Sequence, residues 1–188
     1  LAAVLRRIPT ELALEVSDYL TWRGIEVDLD TRRLLRKTLD LSESLRTIAG
    51  LARALYLSRR ALGRRFTTRG LPVPSHWLHF GRILRAALRL QAGEESLFAI
   101  ACDLGYPDGF SLSNQMRRLT GLRPSIMREC FGWEWIVEAW LREEAAAGNL
   151  SPSLRESLFP NGEGPDRRDR GAQDSGGHMR APLMRVAE

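Results

Sequence analysis

The chain has 188 residues, 44% apolar and only 7% aromatic, with a net charge of +5; this composition suits one globular domain with appendages. No apolar run approaches the roughly 18–20 residues of a membrane span, and the opening Leu1–Arg7 lacks the basic-then-apolar order of a secretory signal. Two cysteines, Cys102 and Cys130, are too few for a disulfide scaffold or a cysteine-only zinc site, so a cytoplasmic protein without a cofactor is expected, its cysteines acting as small reduced core residues.

Strand-like alternation is nearly absent, whereas apolar residues recur at helical spacing throughout. Between Thr10 and Arg23, the residues Leu12, Val16, Tyr19 and Leu20 form a stripe that Gly24 closes. Asp30 is a candidate N-cap for a helix carrying Leu34, Leu35 and Leu39. Ser44 opens a segment with Leu45, Ile48, Ala49, Ala52 and Leu55, and Ser58 caps the next, with Leu62 and Phe66 one turn apart. The run Gly70-Leu71-Pro72-Val73-Pro74 reads as a stop and a restart, and Pro74 suits the first turn of a helix reaching about Leu90. Beyond Gly93, Ser96 starts a helix with Leu97, Ile100, Ala101 and Leu104 inward. Gly105 breaks it, and Asp108 caps a helix with Leu112, Met116 and Leu119 inward, stopped by Gly121 before Pro124. Trp133, Val137, Trp140 and Leu141 predict an amphipathic helix from Phe131 to about Ala147. The Gly-, Pro-, Asp- and Arg-rich residues 148–188 predict a mostly disordered tail. The expected organisation is an N-terminal helical extension (1–40), a central domain (41–130), a C-terminal amphipathic helix (131–147) and that tail.

Charge follows this division. Residues 41–130 carry fourteen Arg against six acids, while 1–40 are balanced and 131–188 are net acidic. A positive field concentrated in one segment implies a polyanionic partner. Only Lys37 departs from Arg among the bases, and Arg grips phosphate and guanine edges bidentately.

The central segment repeats itself. Leu51–Leu55 resembles Ile100–Leu104 at an offset of 49, and Ser58, Leu62, Phe66 and Pro74 match Asp108, Leu112, Met116 and Pro124 at an offset of 50. The one-residue slip falls in a turn, where a repeat tolerates it. Each unit reads helix, short turn, helix. In the second helix of each, residues two apart from the apolar stripe point the other way. The free face carries Arg59, Arg60, Gly63 and Arg64 in the first unit and Phe110, Ser113, Asn114 and Arg117 in the second. Arg69 and Arg118 lie toward the helix ends and suit phosphates. Phe110 either touches a thymine methyl or packs inward. His76, His79 and Cys102 raise a metal site only weakly, because no further carboxylate or thiol stands at ligand spacing.

At these residues the chain resembles the AraC/XylS family of transcription regulators. The first unit carries Leu51-Ala52, Ser58, Leu62, Arg64 and Phe66; the connection carries Pro74, Arg82 and Ala86; the second unit carries Ile100-Ala101, Gly105-Tyr106, Asp108, Leu112, Arg117, Gly121 and Pro124. The resemblance covers roughly 44–130 and implies an all-α fold of two helix-turn-helix subdomains joined by a long linker helix, here with N- and C-terminal helical extensions. It implies two recognition helices in the major groove, with base contacts at Arg60, Gly63, Arg64, Ser113 and Asn114. Tyr56 in the first unit's turn and Phe110, Asn114 and Met116 in the second unit depart from the family pattern, so the second unit is expected to read different bases or to contribute less. Residues 1–40 are too short and too helical for the family's effector-binding barrel, so no small-molecule effector is expected on this chain. Double-stranded DNA is the expected partner, RNA polymerase a candidate one, and an enzyme is not expected. A helical module binding an acidic protein is the alternative.

Overall fold

The computed structural model describes residues 9–129 and 132–160. Ten helices and no strand occur among them: α1 (Leu12–Trp22), α2 (Leu29–Leu41), α3 (Ile48–Ala54), α4 (Arg59–Thr67), α5 (Pro74–Ala92), α6 (Leu97–Asp103), α7 (Gly109–Thr120), α8 (Pro124–Glu129), α9 (Glu134–Ala146) and α10 (Pro152–Leu158). The fold is all-α. The expected caps Ser58, Ser96 and Asp108 each accept a backbone N–H three residues on. Two other boundaries move. Asp28, not Asp30, caps α2, because its carboxylate takes both the backbone N–H and the hydroxyl of Thr31. Thr47, not Ser44, caps α3, leaving residues 42–46 as a turn after α2.

The long helix α5 runs unbroken for 19 residues, started by Pro74 and ended by the left-handed Gly93. At 1.5 Å per residue it spans about 28 Å. Twelve of its residues are buried, far more than one amphipathic stripe supplies, because helices pack on several sides of it. It contacts α3 and α4 on one side of the sequence and α6, α7 and α8 on the other, and also α2 and α9.

The extensions share this core. Buried side chains from Leu12 to Leu158 form one apolar cluster. Trp133, Val137 and Trp140, expected to seek cover, are buried within the single chain. The Trp140 ring stacks on Phe80 at 4.2 Å and meets Trp77 edge-on at 4.4 Å, both on α5, while Trp133 meets Tyr19 of α1. Arg23 at the end of α1 forks onto Glu138 of α9 (2.5 and 3.0 Å) and donates to the Leu158 carbonyl. Glu138 also accepts from the Tyr19 hydroxyl, whose pKa burial and that carboxylate push upward.

Two expectations are corrected here. The tail predicted from residue 148 is helical in its first part: Ser151 caps α10, its N–H donates to the Gly70 carbonyl, and Leu158 is buried. Proline at the first turn and a serine cap gave a helix start that the polar composition masked. Residues 161–188 lie outside the described residues, as do Phe131 and Cys130. Cys102 is exposed, not a core residue, because Ile100, Ala101 and Leu104 already define the inner face of α6.

Candidate nucleic-acid interface

Helix α4 presents one face by burying the other. Leu62 and Phe66 are fully buried, which turns Arg60, Gly63, Arg64 and Thr67 outward at i, i+3, i+4 and i+7. Arg59, Arg60, Arg64 and Arg65 are exposed and have no ion-pair partner among the described residues. A side chain added at Gly63 would meet nothing within 4 Å; the glycine keeps the helix backbone approachable there. The Thr67 and Thr68 hydroxyls donate back to the Gly63 and Arg64 carbonyls, closing the last turn.

Helix α7 repeats the plan. Asp108 accepts the Ser111 N–H at 2.6 Å, a bond that holds its carboxyl below the usual range. Leu112 and Met116 are fully buried. Asn114, Arg117 and Arg118 are exposed and Ser113 half-buried. Phe110, for which two orientations were open, is 75% exposed and does not pack inward. Its stripe with Ser113, Asn114 and Arg117 is less charged than that of α4.

The turns before the two helices show the repeat in backbone form. Tyr56 adopts φ +53° and Gly105 φ +72°, equivalent positions at the offset of 49. The Arg82 guanidinium, buried on α5, donates to the Leu104 carbonyl and lies 4.6 Å over the Tyr106 ring, pinning the linker to the second turn.

Part of the central positive charge is engaged within the chain. Arg82 is buried, Arg85 donates to the Leu39 carbonyl at the end of α2, and Arg89 pairs with Glu95 and Asp103. Arg69, expected to grip phosphate, pairs with Asp28 at 2.7 Å. Arg65, which the spacing argument did not single out, is exposed beside it and lines the same cleft; its position next to Arg64 at the end of the basic run was the available signal. Arg118 lies near the linker histidines; its charge adds, after burial and Arg82, to the lowering of the His79 pKa, and only partly opposes the rise that Glu144 causes at His76.

The two linker histidines have different surroundings. His76 Nδ1 lies 2.9 Å from Glu144 of α9. That hydrogen bond raises the His76 pKa, whereas burial and then Arg82 lower that of His79. No group of three or more His, Cys, Asp or Glu among the described residues is placed to hold a metal ion.

A family model described as a helix-turn-helix domain matches residues 51–129. Over this segment the chain is similar to the AraC/XylS-type helix-turn-helix domain. The match begins at Leu51 on α3 and ends with α8, so it takes in both units and the linker and leaves both extensions outside. Comparison with curated proteins and with solved structures gave no match. The helix-turn-helix domain is a DNA-binding module of transcription regulation, and no helix among the described residues is long and apolar enough to cross a membrane.

Proposed function

We propose that this AraC/XylS-type domain binds duplex DNA in a sequence-specific way, with α4 and α7 reading two adjacent major-groove segments. The observation that carries the reading is the shared construction of the two helices: each is capped by a short polar side chain, buries two large apolar residues, and leaves an uncovered polar face. A rigid helix of about 28 Å between units approaches the roughly 34 Å of one DNA turn, and the displacement of each reading helix from the linker end supplies the rest.

Roles divide by position. Arg60 and Arg64 are one turn apart on an open face and reach guanine edges; Asn114 suits adenine. Ser113 is a polar neighbour to that contact, and Phe110 offers an apolar surface to a thymine methyl. Arg59, Arg69, Arg117 and Arg118 hold phosphates. RNA polymerase is a further partner of such a regulator bound at a promoter. Selection of bound sequences from random duplex DNA tests the reading: enrichment of a motif with two half-sites about one turn apart supports it, and a motif with one half-site removes the second unit's part. Retention of an acidic protein in the presence of excess duplex would favour the alternative module.

A further inference from the structure

The N-terminal extension meets the proposed DNA-binding surface at the end of α4. Asp28 and Asp30, at the start of α2, share a cleft of about 250 Å³ with Arg65, Thr68 and Arg69 at the end of α4. Asp28 holds Arg69 at 2.7 Å while also capping its own helix through Thr31. Asp30 is exposed, and its only ion-pair partner among the described residues is Arg33 at 3.6 Å. A DNA phosphate approaching Arg65 and Arg69 would therefore meet two carboxylates and would have to displace one of them from Arg69.

We infer that the acidic start of α2 competes with the phosphate backbone for Arg69 and Arg65, so that the N-terminal extension lowers DNA affinity in a sequence-independent way. The inference rests on the proposed DNA binding. Two observations support it beyond proximity. Arg69 at the end of α4 pairs with an acidic side chain, whereas Arg59, Arg60, Arg64 and Arg65 on the same helix have no such partner among the described residues. The Asp28 carboxyl also sits below its usual range, first because of the Thr31 N–H and hydroxyl and then because of Arg69; it stays ionised at neutral pH, and protonation does not release the arginine there.

The test uses the full chain, two variants and two kinds of duplex. Asp28→Asn keeps the cap, since Asn and Asp serve equally at that position, and removes the charge; Asp30→Asn removes the second charge without touching a cap. Binding to a selected duplex and to a random one is titrated at two salt concentrations, with thermal unfolding followed in parallel. The double variant should bind both duplexes roughly three- to tenfold more tightly by the same factor, with a salt slope steeper by about one. Combining Asp28→Asn with Arg69→Ala should abolish that variant's gain. Unchanged or weaker binding in the folded variants overturns the competition. If Asp28→Asn unfolds, Asp30→Asn alone decides by the same criterion. Failure of the DNA reading looks different: the parent chain itself then binds no duplex.

Discussion

The two helix-turn-helix units share one plan and differ in what surrounds it. The first unit has an arginine-dense open face on α4, a strained turn at Tyr56, and an acidic neighbour from the N-terminal extension at Arg69. The second has a mixed face with an exposed phenylalanine, an unstrained Gly105 turn clamped by Arg82, and the helix α9 packed against α7. The repeated part is the set of caps and buried apolar positions that make the helices; the diverged part is whatever the helices leave uncovered. Duplicated units thus keep a folding solution while their surfaces change independently.

The sharpest way to break the comparison is to remove a support that both units lean on. Trp140 is fully buried between Trp77 and Phe80 on the linker. Trp140→Ala should cost about 3–5 kcal/mol through lost packing and the cavity left behind. Because one apolar cluster spans both units, urea unfolding followed by fluorescence and by circular dichroism should still give one shared transition. Two separated transitions would mean that the units are independent bodies that happen to touch.

The next effect separates the two reading faces. Arg64→Ala should lose about 1–3 kcal/mol of binding to the selected duplex and much less to a random one, as a bidentate guanine contact requires. Arg118→Ala should weaken both duplexes equally and flatten the salt slope by about one. Titrations of the two variants on both duplexes check this. Equal loss on both duplexes for Arg64→Ala would move that residue from base reading to phosphate contact.

How much of this was visible beforehand follows from the physics of each feature. Caps, glycine stops and the apolar stripe of each repeat are local, so Ser58, Asp108, Gly93 and Gly121 and the buried Leu62, Phe66, Leu112 and Met116 were legible. The exposure of Arg60, Arg64, Asn114 and Arg117 followed from the same geometry. Long-range pairing was not legible: nothing in the spacing joins Asp28 to Arg69, Arg23 to Glu138 or His76 to Glu144, residues 41, 115 and 68 positions apart. For the same reason the surplus of arginines between 41 and 130 overstated the free positive charge. Arg82, Arg85 and Arg89 are occupied by carbonyls and carboxylates that only the folded chain brings near.

A third test concerns the side of the linker that faces α9. The His76 pKa is raised by its hydrogen bond to Glu144, so this contact stabilises fully below the unfolded value of about 6.5 and fades as pH rises through the folded value. The His79 pKa is lowered by burial and by Arg82, so His79 destabilises as pH falls through about 6.5. The two partly cancel in the parent. His76→Gln should therefore lose more stability at pH 5 than at pH 8, and His79→Gln should gain stability at pH 5 relative to the parent. Thermal melts at both pH values read the signs. A His76→Gln loss confined to pH 8 would reverse the assignment.

The smallest effect is confined to the two turns. Tyr56 and Gly105 occupy equivalent left-handed positions, at φ +53° and +72°. A non-glycine residue in this region carries a steric penalty of about 1–2 kcal/mol, because its Cβ crowds the following carbonyl. Tyr56 gets little back from packing, since its side chain is 97% exposed. Glycine at this position relieves the crowding but gives the unfolded chain more freedom to lose, so Tyr56→Gly should stabilise by a net of about 0.5–1 kcal/mol. Gly105→Ala should do the opposite by a similar amount, because its added methyl meets the same backbone penalty, while the exposed Arg46 guanidinium lying over that turn is the far end of a flexible side chain and can swing aside. Urea midpoints of the two variants against the parent measure this, and equal slopes would confirm that only stability moved. A Tyr56→Gly variant no more stable than the parent would show that the exposed ring contributes something its contacts do not reveal. Titration of that variant on duplex DNA then places the contribution: a loss of affinity with no loss of stability would make Tyr56 part of the first unit's binding surface, and the turn that looks strained would be held for recognition.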